Sequence, residues 1–220
     1  MEISYLGHSS FRLKGKQATL ITDPYGSDKE IELGLKFPKS EADIVTVSHS
    51  HPDHNAVSQV GGNPLIIDGP GEYEVKGISV FGYSSSHETK DVSNPDMVNT
   101  IYLIEMDGLR ICHLGDLGKK LDEGKLEEID GVDILLVPVG GYYTLNSKEA
   151  NELITAIEPS VVIPMHFKIP SMGPSFAKLQ PIKDFLEEMA VGQIAPQPKL
   201  VIFRDKLPSE RQTVVLEFKE

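Results

Sequence analysis

A single cysteine, Cys112, among 220 residues excludes an internal disulfide and points to a reducing compartment. Basic residues are in the minority as well. With 21 lysines and arginines against 33 acids the formal charge is -12, which opposes binding to nucleic acid or to an anionic membrane. Long apolar runs are missing: none approaches the roughly 20 residues that a bilayer-spanning helix needs. The opening Met1-Glu2-Ile3-Ser4-Tyr5-Leu6-Gly7 carries an early acid and lacks the basic start and longer apolar stretch of a signal peptide. No linker rich in Pro, Gly or Ser and no block of charge divides the chain. The expectation is a soluble, cytoplasmic protein in which residues 1–220 form one domain. Its 40% apolar content suffices for a substantial core.

What the chain has in abundance is histidine in one place. His49-Ser50-His51-Pro52-Asp53-His54 puts three imidazoles and a carboxylate into six positions, directly after the apolar run Asp43-Ile44-Val45-Thr46-Val47. Buried groups of this kind cost free energy unless they are paired or bound to a metal, so a cluster at the end of a buried strand asks for a cation. Residues two apart in an extended segment point to the same side, which lets His49 and His51 share one ion. Pro52 suits the first position of a helix, where its missing N–H is no loss. A helix from Pro52 through about Val60 places Asp53 and His54 in its first turn, where they can address a second centre.

The remaining pattern is that of strands first, then alternating strands and helices. Ile3–Leu6, Ser10–Leu13 and Ala18–Thr22 read as a meander, and His8 and Asp23 fall just past the first and third of these runs. Tyr25 to Ser40 reads as a surface loop. Ile78–Tyr83 leads to His87, and Glu88 to Asn99 reads as a polar loop. Asp107-Gly108 between Thr100–Glu105 and Leu109–Leu114 predicts a hairpin whose second arm delivers Asp116. A short helix is expected around Lys125 to Ile129, and Val132–Val137 as a strand. Asn146 with Glu149 forms a capping-box pattern ahead of the helical spacing Ala150, Leu153, Ile154, Ile157. Val161–Met165 is a strand ending at His166. Phe167 to Gln180 reads as a flap, and Ile182, Phe185, Leu186 and Met189 as one face of a helix. Leu200–Phe203 and Thr213–Phe218 close the chain as strands. Such an order favours a layered α/β fold over a helical bundle. His49, His51, His54, His87, Asp116 and His166 then share one address, the ends of strands, where loops converge on sites in such proteins.

The sequence His49-x-His51-x-Asp53-His54, the later His87, Leu114-Gly115-Asp116 and Pro164-Met165-His166 resembles the metallo-β-lactamase superfamily of metallohydrolases. The opening Leu6-Gly7-His8-Ser9-Ser10-Phe11 and the passage His113-Leu114-Gly115-Asp116-Leu117-Gly118 resemble its small Zn-dependent hydrolases without a defined substrate. The resemblance spans about Ile3 to His166 and implies a four-layer αββα sandwich with metals at one edge of the two sheets. It further implies that His49, His51 and His87 hold one divalent ion, that Asp53, His54 and His166 hold another, and that Asp116 bridges them. Ligand type suits Zn(II), with Mn(II), Fe(II) and Ni(II) as the other ions such a set can take. The implied activity is hydrolysis of an ester, lactone, amide or phosphoester by a metal-bound hydroxide, with a small molecule as substrate. Asp53, between two ligand histidines, is the candidate to orient that hydroxide and carry a proton to the leaving group.

Some residues have two readings from sequence alone. His8 can line the substrate pocket, protonate a leaving group or make a structural hydrogen bond. Asp23 can hold the histidine loop through hydrogen bonds or simply start the Asp-Pro turn. His113 reads as a core or supporting residue and Cys112 as a small buried hydrophobe; Tyr142, Tyr143 and Lys168 border the expected site loops, where they can contact substrate or, the preferred reading, be ordinary exposed loop residues. A rival activity is that of an RNA phosphodiesterase or nuclease with the same ligand order, against which the charge of -12 counts. A metal-binding module without catalysis is the alternative from a different class.

Overall fold

The computed structural model describes residues 1–89 and 98–218. The chain begins with a meander of β1 (Glu2–Gly7), β2 (Ser10–Lys14) and β3 (Thr19–Thr22), followed by β4 (Ser40–Glu41) and β5 (Ile44–Thr46). Next come β6 (Val60–Gly61), β7 (Leu65–Ile67), β8 (Gly71–Val75), β9 (Ile78–Ser86), β10 (Val98–Met106) and β11 (Leu109–His113). The last part alternates: α1 (Glu123–Glu128), β12 (Ile134–Pro138), α2 (Ser147–Ile157), β13 (Val161–Met165), α3 (Ile182–Glu188), β14 (Leu200–Val201) and β15 (Gln212–Thr213). A six-stranded sheet runs β14-β1-β2-β3-β5-β7 and a seven-stranded sheet runs β15-β13-β12-β11-β10-β9-β8. The meander portions are antiparallel, whereas β3, β5 and β7 in one sheet and β11, β12, β13 and β15 in the other are parallel. This is the α/β sandwich expected from the sequence.

Local chemistry explains the elements. Ile3 and Tyr5 on β1 and Phe11 and Leu13 on β2 are buried, while Glu2, Ser4, Arg12 and Lys14 alternate outward, the period of a half-buried strand. All five residues of β12 and of β13 are buried, as expected for parallel strands covered on both faces. Asp107 and Gly108 both take positive φ, 54° and 77°, which is what a two-residue hairpin turn of this hand requires. In α2, Asn146 accepts from the Glu149 N–H while the Glu149 carboxylate accepts from the Asn146 N–H, the reciprocal cap its sequence predicts. Helix α2 packs on β12 and α3 on α2.

The two sheets are tied at their interface by a polar bond. Tyr102, fully buried on β10, donates its hydroxyl to the carbonyls of Val47 at 2.8 Å and Ile67 at 3.1 Å in the other sheet.

Four expectations are corrected. No helix runs from Pro52: His54 and Asn55 both donate to the His51 carbonyl, giving one turn, and only a 3-10 turn follows at Val57–Gln59. The reason is competition, since the Ala56 N–H goes to Pro24 and the Pro52 carbonyl is taken by Gly26, so the backbone bonds sideways instead of propagating. The strand expected over Thr213–Phe218 is short because Val214 donates to Val162 while Val215 and Glu217 pair with Gln197, splitting its bonds between two neighbours. The strand expected over Leu200–Phe203 stops at Val201. The expected loop Glu88–Asn99 falls largely outside the described residues at 90–97, and Val98 and Asn99 already belong to β10. Among the described residues, no helix is long and apolar enough to cross a membrane.

Candidate metal centre

Strands β1, β3, β5, β9, β11 and β13 all end at the same edge of the sandwich, and each delivers a titratable side chain just beyond its last residue. His8 follows β1, Asp23 follows β3, His49 to His54 follow β5, His87 follows β9, Asp116 follows β11 and His166 follows β13. Three of these turns hold non-glycine residues in left-handed backbone: His8 at φ 54°, Asp23 at 38° and His166 at 52°. Conformations this rare persist only where the surroundings over-determine them, and they concentrate at functional sites.

The side chains converge on adjoining groups of metal-ligand type, one of them His49, His54 and Asp116. His49, His51 and His87 form one group whose ligand atoms lie within 4.8 Å of one another, and His8, Asp53, His54 and His166 form a second. Asp116 stands between them: its Oδ2 lies 3.2 Å from Nε2 of both His54 and His166, 3.6 Å from His87 and 4.0 Å from His49. His49, Asp53, His54, His87, Asp116 and His166 have buried side chains, and His51 is half-buried.

The fit to a cation can be tested on the polar atoms themselves. Asp53 Oδ1, Asp116 Oδ1 and His166 Nδ1 are buried without a hydrogen-bond partner, and Nε2 of His54 and of His166 meets Asp116 Oδ2 at 3.2 Å without the geometry of a hydrogen bond. Leaving so many polar atoms unpaired in one place is costly, whereas ligation would satisfy them. The imidazole-rich donor set with carboxylates is that of a zinc-type ion.

Electrostatics agree with a site made for positive charge. Burial alone would push the Asp116 carboxyl up, but His166 and His54 hold it well below the usual carboxylate range. Burial likewise opposes ionisation of Asp53, yet His54 and His8 hold it well below that range. Burial would push His54 down, while Asp116 and Asp53 raise it well above its usual value. Burial together with His54 pushes His49 down, and burial together with His166 pushes His8 down to about 4.

A buried carboxylate aligns the histidine loop. Asp23 accepts from the Ser48 N–H at 2.8 Å, from the Ser48 hydroxyl at 2.5 Å and from His54 Nδ1 at 2.8 Å. Having given its proton to Asp23, the Ser48 hydroxyl accepts from His49 Nδ1 at 2.9 Å. One carboxylate therefore fixes the tautomers of two histidines and turns Nε2 of each toward the ligand groups, His49 Nε2 lying 3.0 Å from His51 Nδ1. Of the two sequence readings for Asp23, the structure supports the first, although its left-handed turn also serves the Asp-Pro corner.

Asn99 is a residue that sequence reasoning missed. Fully buried, it accepts from the Asp116 N–H at 2.9 Å and donates to the Leu114 carbonyl at 2.9 Å and to Ser85 Oγ at 2.7 Å. It thereby clamps the Asp116 turn to the strand that carries His87. Two glycines let backbones close over this floor. A Cβ on Gly115 would lie 2.2 Å from Asn99 Oδ1 and 2.6 Å from Ser48 Cβ, and one on Gly140 would lie 2.0 Å from the His166 carbonyl.

A cavity of about 280 Å³ opens over the centres, lined by His51, Asp53, His87, Asp116 and His166 on one side and by Glu30, Ile31, Tyr143, Ser175 and Phe176 on the other. Sequence reasoning read Tyr143 as an ordinary loop residue; its hydroxyl donates to the Ser175 carbonyl at 2.8 Å and braces this wall. Larger surface hollows lie away from the centres and contain none of these ligand-type residues. His8 is fully buried behind Asp53 and is not part of the cavity wall. His113, also fully buried, bonds the Ser9 carbonyl at 2.8 Å, a supporting role.

Comparison with known proteins agrees with this geometry. Residues 2–166 match the model of a β-lactamase superfamily domain. The chain belongs to the metallo-β-lactamase superfamily. Within it, this chain is 30% identical over 193 residues to a metal-dependent hydrolase of Thermoplasma acidophilum, covering 76% of this chain and 83% of that protein. It is 30% identical over 196 residues to another metal-dependent hydrolase, from Carboxydothermus hydrogenoformans, with 76% and 84% covered. A crystal structure of a candidate Zn-dependent hydrolase of the superfamily from Thermotoga maritima superposes with a TM-score of 0.80 at 36% identity, covering 99% of both chains. Like these relatives, the chain is a metal-dependent hydrolase.

Proposed function

We propose that this metallo-β-lactamase superfamily member hydrolyses a small ester, lactone, amide or phosphoester at a dinuclear, zinc-type centre, residues 1–220 acting as one hydrolase domain. The observation that carries the reading is the pair of adjoining ligand groups with Asp116 between them. His49, His51 and His87 would hold one ion, Asp53, His54 and His166 the other, and Asp116 would be shared. Divalent ions bound there supply Lewis acidity and lower the pKa of water from about 15.7 to roughly 7.

The chain's own groups do the rest. Asp53 lines the cavity, so its carboxylate can take a proton at the reacting face and pass it to the leaving group. Ile31 and Phe176 form an apolar wall opposite the ligands that excludes water and strengthens the electrostatics of the site. Asp23 and Ser48 hold His49 and His54 in the tautomers that ligation needs. A small cavity on a chain of net charge -12 favours small molecules over RNA.

Metal analysis of the purified protein joined to a panel of esters, lactones, amides and phosphodiesters tests this. The expected result is close to two divalent ions per chain and turnover of at least one class, abolished in Asp53→Ala. A protein that is metal-free under native conditions, or an Asp53→Ala variant with full metal content and full turnover, would overturn the proposal.

A further inference from the structure

His8 lies in the Gly7-His8-Ser9-Ser10 turn, and the reaction as described gives it no task. Its Nε2 is 3.0 Å from Asp53 Oδ2, and its side chain is fully buried. A carboxylate only accepts, so Nε2 carries the proton, and Nδ1 is left buried with no partner. The ring is held from all sides. Its centroid is 4.2 Å from that of His166, 4.9 Å from His54 and 5.2 Å from Phe176. Its carbonyl accepts from the Tyr5 hydroxyl at 2.8 Å and from the His166 N–H at 2.9 Å. The backbone is pinned in the left-handed region by the same bonds.

Asp53 has less support: its Oδ2 meets His8 Nε2 at 3.0 Å and, more distantly, His54 Nε2 at 3.5 Å. His49 and His54 are aligned through Ser48 and Asp23, and the Asp116 turn through Asn99, whereas Asp53 Oδ1 has no hydrogen-bond partner. Among the described residues, His8 supplies the hydrogen bond that fixes the Asp53 carboxyl plane.

We propose that His8 is a positioning residue for Asp53: its Nε2–H holds Oδ2, the oxygen that also lies 3.5 Å from His54 Nε2, and so fixes the carboxylate at the second metal centre. This rests on the dinuclear reading above. His8 stays behind the carboxylate, touches neither substrate nor metal, and acts only through Asp53. The motif Gly7-His8 is thereby explained: glycine at φ 112° lets the strand turn, and the histidine at the turn backs a carboxylate delivered by β5 of the same sheet.

Three measurements test this. First, His8→Phe fills the volume without a donor, and His8→Gln returns an N–H near the Nε2 position. His8→Phe should weaken the second ion by about 10- to 100-fold in chelator competition while leaving the first within about 2-fold, the size expected for losing a hydrogen bond to a ligand. His8→Gln should recover most of that loss, and its Co(II)-loaded form should keep the wild-type absorption spectrum. Second, ¹⁵N imidazole NMR of the metal-loaded wild type should report the Nε2–H tautomer of His8, with an exchange-protected proton, whether or not either variant folds. Third, metal stoichiometry of the wild type separates the two claims. Two ions held by His8→Phe with wild-type affinity, an Nδ1–H tautomer, or a changed Co(II) spectrum in His8→Gln would each overturn the positioning role and leave the dinuclear reading standing. A wild type that binds fewer than two ions would overturn both.

Discussion

Asp23→Asn is the substitution in which one atom's change reaches both centres. The carboxylate is fully buried and accepts three bonds, two from Ser48 and one from His54. An amide keeps the shape and has a single acceptor. With its oxygen toward the Ser48 N–H, its NH₂ meets His54 Nδ1 and the Ser48 hydroxyl. Nδ1 must then accept, the His54 proton moves to Nε2, and the atom needed for ligation is blocked. The Ser48 hydroxyl has lost its acceptor and no longer favours the His49 tautomer either. With the amide turned the other way, its NH₂ opposes the Ser48 N–H and the loop itself is pushed off. Loss of a supporting partner of this kind typically costs about 10- to 100-fold in metal affinity, or roughly 1.4–2.7 kcal/mol. One histidine of each centre depends on Asp23, so both affinities should fall. Competition with a chromophoric chelator reads the two constants, with circular dichroism as a control for folding. A folded Asp23→Asn protein that binds both ions as tightly as wild type would refute the reasoning.

Other perturbations probe the rest of the fold and the titration of the metal-free protein. Tyr102→Phe leaves the Val47 and Ile67 carbonyls without their hydroxyl donor and should cost about 1–3 kcal/mol, read as a lower thermal midpoint of at least about 2 °C; an unchanged midpoint would mean the inter-sheet bond is not stabilising. Asn146→Ala removes the α2 cap and should destabilise by about 1 kcal/mol in urea unfolding, with metal content unaffected. Cys112 is fully buried and burial pushes its thiol up to about 12, so a thiol reagent at pH 8 should label it only as fast as the protein unfolds. Burial, with the like charge of neighbouring histidines, pushes His8, His49 and His87 below their usual value of 6.5, and burial does the same to His113. The unfolded chain then binds protons first, so the metal-free protein should lose stability as pH falls below about 6.5, His54 alone acting in the opposite sense. Denaturation curves of the metal-free protein from pH 8 to pH 5 that superimpose would contradict this.

Much of the centre could be read from sequence because ligand chemistry is dense there. Six positions hold four ligand-type groups, and His87, Asp116 and His166 each follow an apolar run that had to be a strand. The sandwich followed from the same runs. What escaped was decided by partners far away in the chain. The helix expected from Pro52 is cut short because Ala56 and Pro52 find backbone partners at Pro24 and Gly26, about thirty residues back, and no local propensity records that. Asn99 sat in a stretch whose polarity suggested a loop, yet it is the opening of β10 and buried because its three bonds are all made inside. Tyr143 could not be told from its neighbour Tyr142 without knowing which of them turns toward Ser175. His8 and Asp23 were visible as strand-end residues, and only distances could separate a carboxylate's support from a wall of the cavity.

The floor under the centres, where side chains at Gly115 and Gly140 would collide with Asn99 and the backbone of His166, has consequences for how this enzyme could be retrained. Those positions offer a laboratory library nothing, because any larger residue would unseat a ligand before it met a new substrate. The freedom lies in the rest of the cavity lining, at Glu30, Ile31, Tyr143 and Ser175, none of which belongs to the ligand set, whereas Phe176 packs against the rings of His8 and His166. Variation confined to that wall changes what is admitted and leaves the reacting machinery intact. The chain thus separates the part that evolution can redraw from the part it must copy.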